Sequence, residues 1–150
     1  MDFAAAMTVL ETHALAAGAA LDTPILDVDR ASPTPKGRCI RLWWSGNSEP
    51  VKMGGRYTLS SEMLAERVSI VAFFPVSTLA EEATGFNDAE ARDLRQELYT
   101  RLLGDSQLGG NVEDLSIEGV ETGWETQGNI RYRTLDMTVL LEYVEITITA

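Results

Sequence analysis

The last part of the chain, from Arg133 to Thr149, constrains the fold more than any other stretch. Apolar side chains occupy every second position here, with mostly polar residues between them: Leu135, Met137, Val139, Leu141 and Tyr143. This is the period of a half-buried β-strand. The stretch is rich in Val, Ile, Thr and Leu and contains no Gly or Pro, which favours an extended, paired backbone. We therefore expect a long final strand that other parts of the structure must cover.

The alternation changes phase after Tyr143, because Val144, Ile146 and Ile148 then carry the apolar side. Such a change indicates a bulge, a bend, or a strand that leaves one sheet and meets a second surface. Two apolar faces are more than one small domain readily hides, so part of this strand is expected to contact a neighbouring subunit. Tyr143, Val144, Ile146 and Ile148 are our candidate interface residues on this strand.

Two helices are predicted upstream. Residues 2–17 are alanine-rich and place Phe3, Met7 and Leu10 on one stripe, with Asp2 as N-cap and Gly18 at the exit. Residues 87–103 begin at Asn87, an N-cap with a glutamate three residues on, and end before Gly104.

Strands are predicted over residues 21–28, 38–44, 66–74 and 112–120. Residues 45–48 are predicted to turn the second strand into a return strand over 49–59, and Pro75 is expected to end the strand over 66–74. That strand has apolar residues on both faces and is expected to be central. Residues 121–129, around Trp124, are predicted to form a loop. The order of elements predicts a single α+β domain over residues 1–150: two layers, with a mainly antiparallel or mixed sheet and two helices packed on one face.

The three tryptophans are further candidate contact residues. Trp43 and Trp44 are adjacent on a strand and must point to opposite faces, so at most one is expected to enter the core. The other is either a partner contact, since Trp is enriched at interface hot spots, or a rim residue beneath a loop. Trp124 completes the set.

Composition and motifs exclude several functions. With 23 acidic and 12 basic residues the formal net charge is −11, which disfavours binding to nucleic-acid phosphates. This charge fits either simple solubility or a surface along which DNA passes without sticking. No apolar run approaches the roughly 20 residues of a membrane span, and no signal peptide is recognised. The one cysteine, Cys39, is expected to be buried and inert in a reducing compartment.

Catalytic chemistry is weakly represented. The chain has one histidine, His13, predicted to be a surface residue, and the pair Asp27 and Asp29 is predicted to be a solvated face rather than a metal site. None of the common nucleophile, zinc or phosphate-loop motifs occurs. We assign no catalytic, cofactor-binding or metal-binding residue and expect a protein that is not an enzyme.

The second helix and the segment after it carry a family resemblance. The helix ends in Leu98-Tyr99-Thr100-Arg101-Leu102-Leu103. A turn-rich segment follows it, Gly104-Asp105-Ser106-Gln107-Leu108-Gly109-Gly110-Asn111. The chain then continues with Val112-Glu113-Asp114-Leu115-Ser116-Ile117 and leads to the long final strand, which has Glu142-Tyr143 near its end. This resembles tail terminator proteins of tailed phages and the tail completion, or minor tail, proteins grouped with them. The similarity covers most of the chain as a pattern of elements. The Trp43-Trp44 pair and the segment around Trp124 depart from it.

The resemblance implies a structural virion protein at the head-tail interface, assembled in the host cytoplasm. Its subunits would form a homo-oligomeric ring, usually a hexamer, that caps the tail tube, ends tube polymerisation and presents a surface for head completion or connector proteins. DNA would pass through the lumen without specific binding, and the −11 charge predicts a lumen lined by Asp and Glu. The alternatives are a small α+β binding domain or an enzyme that relies on carboxylates.

Overall fold

The computed structural model describes residues 3–52, 59–76 and 86–148, and it describes side chains within residues 3–45, 65–76 and 88–143. Within these ranges it shows an α+β fold with two helices and one five-stranded mixed sheet. In chain order the elements are α1 (Phe3–Ala19), β1 (Val28–Arg30), β2 (Cys39–Lys52), β3 (Leu59–Val76), α2 (Phe86–Leu103), a 3₁₀ turn (Leu108–Gly110), β4 (Asp114–Gln127) and β5 (Ile130–Ile148).

The sheet has the strand order β1-β2-β3-β5-β4, in which β1 is parallel to β2 and the other neighbours are antiparallel. This confirms the predicted α+β class and the central position of β3, which lies between β2 and β5. The long pairing of β3 with β5 dominates the sheet, because it runs from Leu59 opposite Ile148 to Val76 opposite Arg131 without a register shift.

The bulge considered at Tyr143 and Val144 is absent from this pairing, since the register of β3 with β5 is continuous through both residues. The irregularity lies in β4, between Ile117 and Gly119. β4 begins at Asp114, opposite Glu142, while β5 continues to Ile148. The change of phase in the apolar pattern of β5 therefore coincides with the end of its pairing with β4. Beyond Glu142, β5 remains paired with β3 on one side and is no longer paired with β4 on the other.

The main core joins both helices to alternate positions of the strands. The buried residues contributed by α1 and α2 include Leu10, Ala14, Leu94 and Leu98. Those contributed by the sheet include Ile40, Leu42, Val68, Ile70, Ala72, Leu135, Met137, Val139 and Leu141. Alternate residues of a strand share one face, so both helices share a cluster with this face of the sheet. A smaller cluster of Cys39, Val71, Phe73 and Tyr132 occupies the intervening positions.

Several predicted boundaries were wrong because pairing overrode local turn signals. Residues 45–48 are not a turn but part of β2, which accommodates them with register shifts on either side of Gly46 and continues to Lys52. The predicted return strand over 49–59 therefore starts instead at Leu59, and residues 53–58 lie outside the described residues. β3 extends through Pro75 to Val76. Residues 77–85, which follow this strand, also lie outside the described part of the chain.

Two further elements differ from expectation. Only Val28–Arg30 of the first strand region is extended and paired, because the preceding segment folds back onto the end of α1. There the Ile25 N–H donates to the Gly18 carbonyl at 2.9 Å. Residues 121–127 are not a loop, because β4 continues to Gln127 and turns through Gly128, whose φ is +61°, directly into β5. A positive φ suits glycine.

Candidate assembly surfaces

The two adjacent tryptophans lie on opposite faces of β2, as predicted. Trp43 is half-buried and packs against the smaller cluster formed by Cys39, Val71, Phe73 and Tyr132. Trp44 leaves 53% of its surface exposed. Trp43 thus contributes to the packing of its own subunit, and the indole of Trp44 lies at the surface.

A shallow groove lies beside this pair, between the beginning of α1 and the end of β1. It has a volume of about 460 Å³, and its lining includes Phe3, Met7, Leu42 and Trp44 together with Arg30. Most of these side chains are apolar, so the groove is suited to an apolar side chain of a partner.

Trp124 lies on β4 opposite Arg133. Its side chain is 41% exposed, and the guanidinium carbons of Arg131 and Arg133 lie 4.3 Å and 4.7 Å from the ring centroid. An arginine over an indole face is held by a cation–π attraction. A loop over residues 121–129 does not predict this stacking. The signal in the sequence that points to it is the spacing of Arg131 and Arg133, which share one face of a strand.

Arg133 also lines a cavity of about 230 Å³ between α2 and the last two strands. Its lining consists of Asp88, Ala91, Arg92, Arg95, Thr122, Arg133 and Leu135, and we call it the arginine pocket. Arg133 donates from Nε to the Asp88 carboxylate at 2.5 Å and from Nη1 to the Gly123 carbonyl at 3.1 Å. These two contacts fix the guanidinium of Arg133 at the pocket wall.

The remaining predicted interface residues lie on β5. Tyr143 is half-buried and opposite Leu64 of β3. Val144, Ile146 and Ile148 belong to the same strand pairing, but their side chains lie outside the part of the structure whose side chains are described. The structure therefore places the predicted residues in three regions rather than one: the groove at Trp44, the stack at Trp124, and the end of β5.

Two residues predicted to lie at the surface also make defined contacts, and Asp27 is exposed as predicted. Asp27 accepts from Nη1 and Nη2 of the buried Arg41 at 2.9 Å and 3.1 Å, and this bidentate pairing lowers the pKa of the Asp27 carboxyl. His13 is half-buried, and its Nε2 lies 2.8 Å from Oδ2 of Asp105. Hydrogen bonds from His13 and from the Gly109 N–H lower the pKa of Asp105. The Asp27–Arg41 pair joins the residue before β1 to the neighbouring strand β2, and the His13–Asp105 pair joins α1 to the segment after α2, so both pairs have a structural role.

One carboxyl is unusual. Burial, together with the charge of Glu121 opposite it on β4, raises the pKa of Asp136, and Oδ1 of Asp136 is buried without a hydrogen-bond partner. Neither residue lines the groove or the arginine pocket. Cys39 is fully buried, and burial raises the pKa of its thiol.

Among the described residues, no group of three or more His, Cys, Asp or Glu side chains is arranged to hold a metal ion. The helices in the described ranges include none long and apolar enough to cross a membrane. Comparison of the sequence with protein-family models and with curated proteins returned no match.

Proposed function

We propose that this protein is a tail terminator or tail completion protein of a tailed phage. It would form a ring, expected to be hexameric, that caps the tail tube, ends its polymerisation and provides the surface for head-tail joining. The sequence resemblance suggests this role. The length of the β3–β5 pair is the structural observation that supports it most.

The β3–β5 pair is longer than a compact domain of this size. β3 has 18 residues, which at about 3.3 Å per residue gives roughly 60 Å. A compact chain of 150 residues has a radius of gyration of about 15 Å, or a diameter of roughly 38 Å for a sphere. The strand pair must therefore extend beyond a globular body, and an extended strand pair with apolar residues needs a partner to cover it.

The two ends of this pair are flanked differently. Near the beginning of β3, β2 is still paired with it, because Lys52 lies opposite Glu62. The pairing of β4 with β5 does not extend as far in this direction, because the first residue of β4, Asp114, lies opposite Glu142. The sheet is thus offset, with β2, β3 and β5 at one end and β3, β5 and β4 at the other. Such an offset sheet suits subunits that are placed side by side, because the extended end of one subunit has the length to reach its neighbour.

The decisive experiment uses the tail tube protein encoded by the same genome. Tubes assembled in the presence of this chain should have a ring at one end and should stop growing, whereas tubes assembled alone should continue to elongate, as seen by negative-stain electron microscopy. Tubes with the same length distribution under both conditions would refute the proposal.

A pair of variants on β5 separates assembly from folding. Ile146→Asp places a charge on the apolar side after the phase change, and Thr147→Asp places the same charge on the adjacent position. We expect Ile146→Asp to reduce capping while leaving the thermal unfolding of the subunit nearly unchanged, and Thr147→Asp to affect neither. Equal losses of capping and of folding in Ile146→Asp would argue against an intersubunit role for that side of the strand.

A further inference from the structure

The arginine pocket concentrates positive charge in an acidic protein. Its lining contains three arginines and one carboxylate, Asp88, although the chain as a whole has a net charge of −11. Arg133 is paired with Asp88. Arg92 and Arg95 are exposed, and in the part of the chain that the structure describes neither has a salt-bridge partner. Among the described residues, the pocket therefore presents two guanidinium groups that no carboxylate pairs with.

The floor of the pocket is apolar, since Ala91 and Leu135 are almost fully buried there. A carboxylate on a short aliphatic stem fits such a site, because its methylene groups can cover the floor while its oxygens accept from guanidinium N–H groups. Aspartate and glutamate side chains have this shape.

The opposite end of the same two strands carries excess negative charge. Asp114, at the start of β4, is opposite Glu142 on β5, and the Glu113 N–H donates to the Glu142 carbonyl at 2.8 Å. Like charges directly opposite on neighbouring strands are destabilising. No described Lys or Arg forms a salt bridge with these three carboxylates. We call Glu113, Asp114 and Glu142 the acidic end.

The two charged regions cannot meet within one subunit. Thr122, which lines the arginine pocket, lies eight residues after Asp114 on β4, so the two regions are roughly 26 Å apart along the strand. Asp114 begins the strand, and Trp124, which stacks on Arg133, lies near its other end. Complementary patches at opposite ends of one subunit are the arrangement required by head-to-tail contacts, which close into a ring when the rotation permits.

We propose that the arginine pocket of one copy receives Glu113 and Asp114 of the next copy, and that this contact orders the subunits head to tail. The inference depends on the proposed ring and names what joins its subunits. A second copy is favoured over nucleic acid as the occupant. The net charge of −11 repels a polyphosphate over long range, whereas the acidic end of a copy supplies two adjacent exposed carboxylates.

The test reverses charge at each end and then combines the two reversals. Arg92→Glu with Arg95→Glu should raise the dissociation constant for self-association of the full chain by about tenfold or more, because attraction becomes repulsion. Glu113→Arg with Asp114→Arg should have a similar effect. The variant with all four changes should regain most of the wild-type association, as measured by sedimentation equilibrium.

A matched control reverses a charge elsewhere. Lys36→Glu lies at an exposed residue outside both the groove and the arginine pocket. It changes the net charge as much as Arg95→Glu alone and should leave the dissociation constant within about threefold of the wild-type value. Circular dichroism should show that every variant retains the wild-type fold. An effect of the control equal to that of the pocket variant, or no recovery in the combined variant, would overturn the proposal.

Cysteine cross-linking tests the head-to-tail direction. In a Cys39→Ser background, Arg95→Cys together with Glu113→Cys should give a ladder of disulfide-linked multimers on a non-reducing gel, and each single cysteine variant should remain monomeric. A dimer that forms with Arg95→Cys alone would indicate a two-fold contact and would overturn the proposal. So would a wild-type chain that stays monomeric at millimolar concentration, or one whose arginine pocket instead binds a single-stranded DNA oligonucleotide.

The outcomes separate this inference from the proposed function. If the chain caps tail tubes and the charge reversals leave capping intact, the head-to-tail contact is wrong and the function stands. If the charge reversals control self-association but the chain has no effect on tubes, the contact stands and the function is wrong.

Discussion

Gly18 in α1 provides a sharp test of how the fold is packed, because two physical effects oppose each other there. Replacing a helical glycine with alanine usually stabilises a helix by about 0.5–1 kcal/mol. In this structure, however, a Cβ at Gly18 would lie 2.6 Å from the Ile25 carbonyl oxygen and 3.2 Å from Cδ1 of Ile40. The Ile25 oxygen belongs to the backbone and cannot rotate away.

The expected magnitude depends on the groups that must move. Overpacking of this kind costs about 1–3 kcal/mol. Displacing the segment around Ile25 also weakens the hydrogen bond from its N–H to the Gly18 carbonyl, 2.9 Å long and worth about 0.5–1.5 kcal/mol. After subtraction of the gain in helix propensity, we expect Gly18→Ala to lower the free energy of unfolding by about 1–3 kcal/mol.

Urea unfolding followed by circular dichroism measures this change directly. The melting temperature should fall by about 2–4 °C for each kcal/mol lost in a chain of this length. Gly119→Ala on β4 is the control, because nothing lies within 4 Å of a Cβ there, and it should change the free energy of unfolding by less than about 0.5 kcal/mol. A Gly18→Ala protein as stable as the wild type would refute the close approach of Ile25 to α1.

Three further predictions concern ionisable groups. Asp136→Asn should raise the free energy of unfolding at pH 7 by about 0.2–1 kcal/mol, because it removes a carboxylate whose charge is disfavoured first by burial and then by the like charge of Glu121. Folding raises the pKa of Asp136, so this gain should vanish in urea titrations at a pH below the ordinary aspartate pKa, and a loss at pH 7 would contradict the prediction. Asp105→Asn should lower the free energy of unfolding at pH 7 by about 0.5–1 kcal/mol, because an amide oxygen accepts hydrogen bonds from His13 and from the Gly109 N–H more weakly than a carboxylate does. Folding lowers the pKa of Asp105, so this difference should shrink as the pH falls through the folded-state pKa, and a constant difference would argue against the ionised contact. Cys39 should react with a thiol reagent such as 5,5′-dithiobis(2-nitrobenzoate) in denaturant but remain protected in the native protein, because it is fully buried; rapid native labelling would show that its cluster is open.

The sequence predicts the elements that have a strong period and misses those that depend on pairing. Strand β5 is predicted by the alternation of apolar residues from Leu135 to Leu141, and helix α2 is predicted by the stripe that contains Leu94 and Leu98. These side chains are buried, as expected. The sequence predicts a turn over residues 45–48 and a loop over 121–129, yet neighbouring strands hold residues 45–48 and 121–127 in the sheet. Local propensity cannot show this, because the hydrogen bonds come from residues distant in the sequence.

In the candidate surfaces, too, the features set by local sequence pattern are predicted and those set by contacts between distant residues are not. Opposite orientations of Trp43 and Trp44 follow from strand geometry alone, and the structure confirms them. The arginine pocket joins α2 to β5, so its residues are separated by about forty positions in the sequence and no local pattern connects Arg92 with Arg133. Which side of β5 meets a neighbour stays a prediction.

The unbroken register of β3 with β5 also has a mechanical consequence. A load applied along the strands, pulling one against the other, is shared by all the hydrogen bonds of the ladder between Leu59 and Val76 at once. A load applied across the strands at one end would instead break these bonds one after another. The subunit should therefore withstand a larger force along the strands than across them. Any assembly built from it would be mechanically strongest when the load acts along the β3–β5 pair.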